Sequence, residues 1–193
     1  MNLTKVLTFV FLLLAVGIGY YMVNGIVSTV EEEERVARIE RRVIEKLQFI
    51  RDAQVAYKDA FGQYTSDWDK LINFIDTGKI YITQRREEIK VLDYGAEETT
   101  VFVDTVGIVS VRDSIYNNPV YQKFKLSDLR YVPVTRKEFE MFADKINRSG
   151  VEVDVFEVKD PAPVNPSRRG DNSIRGPLRV GSRTEVTTAG NWE

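Results

Sequence analysis

Hydrophobic and polar positions change rhythm several times along this chain. From position 6 to 23 the order is VLTFVFLLLAVGIGYYMV, apolar in every direction around a helix. Eighteen residues at about 1.5 Å each give roughly 27 Å, close to the hydrocarbon thickness of a bilayer. The pattern predicts a transmembrane helix, with Lys5 at one interface and Tyr20 and Tyr21 at the other, where a ring with a polar tip is favoured. A cleaved secretory signal is the alternative, with Val23 and Gly25 flanking the cut; the run is long for one. Four glutamates follow, and from Val36 the rhythm becomes helical. Apolar residues fall at Val36, Ile39, Val43, Leu47, Ile50, Tyr57 and Phe61, with Ile44 and Phe49 widening the stripe.

The first proline is Pro119, so nothing forces a break between the apolar run and Ala60; Gly25 is the one weak hinge. One long helix that changes solvent partway is expected. Glu31 with Arg35, and Glu34 with Arg38, can pair across a turn, each worth roughly a few tenths of a kcal/mol. Val36, Val43, Ile50 and Tyr57 recur every seventh position, the spacing of a coiled-coil seam. Val36, Ile39 and Val43 are therefore the candidate face for an oligomer or a partner. The stretch 47–61 is expected to dock on the chain's own folded part.

Gly62 should end this helix in the left-handed conformation. Ser66 and Asp69 have capping-box spacing for a second helix, from Asp67 to about Asp76 and closed by Gly78, with Trp68, Leu71, Ile72 and Ile75 on one face. Tyr57, Tyr64 and Trp68 should pack the two helices together at the joint. Residues 79–84 alternate as a strand, and 85–98 read as a loop or short helix. The run 99–116 reads as a hairpin turning between Asp104 and Gly107. Residues 128–134 form a short strand candidate that Pro133 confines to an edge or end. Thr135 and Glu138 have capping-box spacing for a helix from Arg136 to about Asn147, with Gly150 closing it. The run 151–158 alternates most strictly and is the strongest strand signal. The expected fold class is α+β: a transmembrane helix continuing into a long amphipathic helix packed on a small, mostly antiparallel sheet, with an extended C-terminal tail. Beyond Asp160 lie four of the six prolines, which predicts an extended, poorly packed segment; Trp192 suggests instead a terminal strand or docking peptide. The boundaries are an anchor over 1–30, stalk and domain over 31–160, and a tail over 161–193.

Composition narrows function. The net charge is −2, without the basic excess of a nucleic-acid binder. There is no cysteine and no histidine, which removes disulfides, thiolate metal sites, histidine-based triads and ordinary zinc sites. No phosphate loop or dinucleotide fingerprint occurs. Asp67 and Asp69 could touch a calcium ion, but acids in a first helical turn already suit the helix dipole. Glu87 and Glu88 beside Arg85 and Arg86 read as a solvated cluster. Neither an enzymatic role, a cofactor, a metal nor a small-molecule substrate is indicated.

The stretch IRDAQVAYKDAFGQYTSDWDKLINFI, residues 50–75, resembles the joint of type IV pilins and pseudopilins, through Ala53, Gln54, Ala56, Tyr57, Gly62, Tyr64, Trp68 and Leu71. The resemblance covers roughly residues 6–76. It implies an apolar N-terminal helix continuing into a β-rich domain, and assembly with other proteins of a pilus-like or secretion machine. It does not extend to a Gly-Phe junction after basic residues or to a glutamate inside the apolar helix, the features used in prepilin cleavage and filament assembly. More broadly, the chain looks like single-pass envelope proteins of Bacteroidota-type bacteria. The reading from sequence is a non-enzymatic structural or assembly component, single-pass in a bacterial inner membrane, with its C-terminal domain in the periplasm and protein partners or a homo-oligomer. Counting basic residues alone would place that domain in the cytoplasm, but long domains translocate largely regardless of charge. The alternative is a secreted or periplasmic binding module.

Overall fold

A computed structural model describes residues 3–91, 97–170, 173 and 175–193; within its helices and strands, the side chains at 3–6, 9, 23–24, 26–29, 90–91 and 97–98 are outside that description. The chain divides into two units, Met1–Arg41 and Arg42–Glu193. Helix α1 (Leu3–Phe61) runs without interruption through Gly25. In the first unit Arg35 pairs with Glu32 at 2.9 Å rather than with Glu31, and Arg38 pairs with Glu34 at 3.2 Å. All four side chains are more than half exposed, so these pairs contribute little. Among the described residues no helix is long and apolar enough to cross a membrane. Val6, Phe9 and Val23 of the expected span are among the residues whose side chains are not described. The transmembrane part of the expected fold therefore stands on the sequence pattern.

The second unit is α+β. The final turns of α1 bury Val43, Leu47, Phe49, Ile50, Ala53 and Tyr57. Phe49 is the centre of an aromatic cluster, edge-on to Tyr121 (5.0 Å), Tyr116 (5.5 Å) and Phe124 (6.1 Å). Helix α2 (Trp68–Thr77) is capped by Asp67, whose carboxylate accepts from the Asp69 and Lys70 amides. The expected Ser66 box is thus displaced by one residue. Gly78 closes the helix with φ −67°, not in the left-handed region. Strands β1 (Lys79–Val91) and β2 (Glu97–Ser110) form an antiparallel ribbon. Helix α3 (Val111–Tyr116) follows, capped by Ser110. This corrects the expected hairpin: 85–91 continue the first strand, Asp104 to Gly107 lie inside the second, and the connection falls on 92–96, outside the described residues. Cross-strand pairing satisfies the backbone of the mixed-charge run RREEIK, whatever its local preference.

A separate three-stranded sheet has order β3-β4-β5, from Glu140–Arg148, Val151–Lys159 and Arg179–Gly181. In place of the helix expected from Arg136 to Asn147, residues 136–139 lie in a loop and the strand β3 begins at Glu140. Ser149 and Gly150, with φ of 53° and 86°, make a two-residue turn whose twist suits a hairpin, and β4 supplies the partner backbone. Helix-compatible residues there follow the pairing rather than their propensity. The 128–134 strand candidate is reduced to a single bridge, Tyr131 with Glu138. The connecting loop is strained. Val134 (φ 74°) and Arg136 (φ 56°) occupy the left-handed region, which costs about 1–3 kcal/mol each. The Thr135 hydroxyl between them is buried without a hydrogen-bond partner.

The segment after Asp160 is not a poorly packed tail. It returns as β5 beside β4, burying Leu178 and Val180, and Gly190 bridges back to Val180. The Asn191 amide donates to the Pro177 carbonyl at 2.8 Å and its oxygen accepts from the Arg179 amide. Glu157 of β4, 6 % exposed, is held by Arg179 (2.9 Å) and Arg183 (2.8 Å). A buried carboxylate needs such partners to remain charged. Prolines in this segment end regular structure without preventing packing.

Candidate functional site

The joint between α1 and α2 is built around the Ala-Gln-x-Ala-Tyr stretch and the residues that follow it. Gly62, φ 76°, takes the left-handed conformation and donates its amide to the Lys58 carbonyl at 2.7 Å. Gln54, fully buried, reaches across the turn. Its amide nitrogen donates to the Thr65 carbonyl (2.7 Å) and its oxygen accepts from the Thr65 amide (3.1 Å). Tyr57 packs edge-on to Phe74 at 5.2 Å, and Phe61 closes the triangle at 4.6 and 5.5 Å. Trp68 is buried in α2. Tyr64 does not join this helix–helix cluster; it lies against Phe156 of β4 at 4.5 Å, with the Lys58 ammonium 4.6 Å from its ring centre. Burial, and the nearby carboxylates of Asp154 and Asp59, push its phenol above the usual range. The joint is a structural hub. Gln54 carries its central hydrogen bonds, and the Ala-Gln-x-Ala-Tyr spelling was the signal for it.

Of the candidate partner face, Val43 belongs to the second unit and is 2 % exposed there, while Ile39 and Val36 belong to the first unit. Tyr20 and Tyr21 are exposed, while the side chain of Lys5 lies outside the described residues. Asp67 is occupied as a helix cap and Asp69 pairs with Arg130. Arg85 pairs with Glu87 at 2.9 Å on the surface.

The β1–β2 ribbon carries a row of exposed apolar side chains. Residues opposed across antiparallel strands share a face. Tyr81 opposes Ile108, Arg85 opposes Val103 and Glu87 opposes Val101. Val106 is the extra residue of a bulge in β2, so β1 keeps its alternation and Ile89 joins the same face. Tyr81, Ile89, Val101, Val103 and Ile108 are 43 to 62 % exposed. A two-stranded ribbon in water is marginal, and three strands or a covering element are normally required. Both ribbon edges are unpaired among the described residues, since the sheet has two strands. Such an edge is a ready template for another chain. The periodicity of 99–103 signalled a strand; the sequence carried no sign that its partner would leave it uncovered.

No family model, curated protein or solved structure matches this chain.

Proposed function

We propose that this chain is a non-enzymatic, single-pass membrane-anchored structural or assembly component of a bacterial envelope machine, pilus-like or secretion-associated. It is held at the inner membrane with residues 42–193 in the periplasm. The observation that carries this reading is the character of the first helical turns. Leu7, Val10, Phe11, Leu12, Leu13, Leu14, Val16 and Ile18 are each more than half exposed. Successive helical residues point about 100° apart, so the five from Val10 to Leu14 already encircle the axis. No single protein face covers such a helix, whereas lipid does. At about 1.5–3 kcal/mol per buried side chain, eight of them favour the hydrocarbon by on the order of 10–20 kcal/mol. The exposed apolar ribbon supports the assembly half of the reading, because it offers a partner both backbone edges and side chains.

Fractionation tests the anchor. The full-length chain should sediment with membranes and return Met1 on N-terminal sequencing. A soluble chain beginning near Ile26 would favour a secreted binding module. Deleting residues 1–30 should leave a soluble, folded fragment; aggregation through an unfinished core would place those residues inside a fold and defeat the proposal. Val103→Cys, unique in a chain without cysteine, should crosslink to the assembly partner in intact cells.

A further inference from the structure

A second feature of residues 42–193 stands apart from the ribbon and the anchor. A cavity of about 630 Å3 lies between Arg42 and Lys46 of α1 and the segment 123–136. Five of its lining residues are cationic: Arg42, Lys46, Lys123, Lys125 and Arg136. Asp128 is the acid among the lining residues, and it is engaged by Arg136 at 3.4 Å. Lys123 is paired with Glu45 at 2.6 Å. Arg42 and Lys125 have no acidic partner among the described residues and are exposed. Besides Tyr131, the remaining wall is apolar, from Phe124, Val132, Pro133 and Val134.

The deepest cation is the informative one. Lys46 is 5 % exposed and donates to the backbone carbonyls of Asp128 and Tyr131. An ammonium has three N–H donors, so one remains after these two bonds. Burial pushes its pKa down to about 8; Asp128 opposes this shift and Arg136 adds to it. Retaining a desolvated cation among four others is unfavourable unless an anion completes the group. The same cavity is bordered by the loop in which Val134 and Arg136 are left-handed and the Thr135 hydroxyl is unsatisfied. Backbone strain of this kind persists where a site requires it.

We propose that this cavity binds a phosphate group carried by an amphiphilic ligand. Arg42 and Lys125 grip the phosphate oxygens at the mouth, the third Lys46 hydrogen lies below them, and the apolar wall takes the adjoining carbon skeleton. Phosphate fits better than a carboxylate: with more oxygens and up to two charges, it can engage a guanidinium and two ammonium groups together. The chemistry is shared by an anionic phospholipid headgroup and by a soluble organic phosphate.

Isothermal titration of the full-length chain in a non-ionic detergent distinguishes them, with inorganic phosphate, short-chain phosphatidylglycerol and short-chain phosphatidylcholine as probes. Saturable binding of inorganic phosphate supports the site and a soluble source. Binding of phosphatidylglycerol, without inorganic phosphate or phosphatidylcholine binding, supports it as a headgroup site. In either case Arg42→Gln and Lys125→Gln should each weaken binding by about tenfold, the loss expected for one charged hydrogen bond. Lys70→Gln, outside the cavity, should leave binding unchanged. The proposal is overturned if no anionic probe binds, if both cavity variants bind as the parent does, or if sodium chloride at matched ionic strength reproduces the heat. Both variants remove exposed side chains, so loss of fold does not obscure the result.

Discussion

Replacing Gln54 with leucine removes the side chain that spans the turn between α1 and α2. Gln54 and Leu are close in volume, so the substitution leaves the cavity filled while abolishing both hydrogen bonds to Thr65. Thr65 is 7 % exposed, and its amide and carbonyl have Gln54 as their partner at 3.1 and 2.7 Å. Each buried backbone group left unsatisfied costs about 1–3 kcal/mol. The sum is about 2–6 kcal/mol, set against a stability that for single domains is about 5–15 kcal/mol. The apolar gain of leucine offsets part of this, leaving an expected loss of about 1–4 kcal/mol. Denaturant titration followed by circular dichroism measures it, with Val55→Ala on the exposed side of the same helix as the reference. A Gln54→Leu variant within about 0.5 kcal/mol of the parent, the usual span of surface substitutions, would refute the claim that the motif glutamine clamps the joint. Gln54→Glu should be damaged too, because a carboxylate would face the Thr65 carbonyl.

Other consequences follow from the same geometry. Gly181→Ala should lower stability by about 3 kcal/mol or more in the same titration, since φ is 74° and a Cβ would lie 2.2 Å from the Phe156 carbonyl oxygen. Ser149→Asn should raise stability by about 0.5–1 kcal/mol, because asparagine tolerates the left-handed first position of the β3–β4 turn better than serine does. Lys46 makes stability depend on pH in a defined direction. Its folded pKa of about 8 lies below the ordinary 10.5, so between these values the unfolded chain holds the proton and the folded chain does not. Stability should therefore rise with pH across that window relative to Lys46→Met, with Arg42, Asp128, Tyr131, Lys123, Lys125 and Arg136 as the titratable or charged neighbours lining the same cavity; a parallel pair of pH profiles would count against the buried ammonium. Val103→Lys should leave the denaturant midpoint unchanged while abolishing crosslinking from Tyr81→Cys, because Val103 is exposed within the chain.

Local signals were reliable where one short-range interaction decides the conformation. The long helical stripe, the glycine stop at Gly62 and the acidic start of α2 were all legible, because capping and periodicity act within a turn or two. The candidate site was legible only in part. The motif around Gln54 marked the joint but not its hydrogen bonds. Spacing marks Val36, Ile39 and Val43 as one helical face, but spacing alone does not say whether such a face is buried in its own chain or in a partner.

Sequence by itself determined the apolar opening of the chain, the long helix, the α+β class, and the exclusion of histidine and cysteine chemistry. Only the tertiary structure decided that 140–148 is a strand, that the proline-rich segment closes the sheet as β5, that the β1–β2 ribbon stands uncovered, and that Lys46 sits among four other cations. The physical reason is range. Helix caps and apolar periods are set by neighbours a few residues apart. Strand pairing, burial of a charge and exposure of a face depend on groups tens of residues away, such as Glu157 and Arg179 or Lys46 and Tyr131.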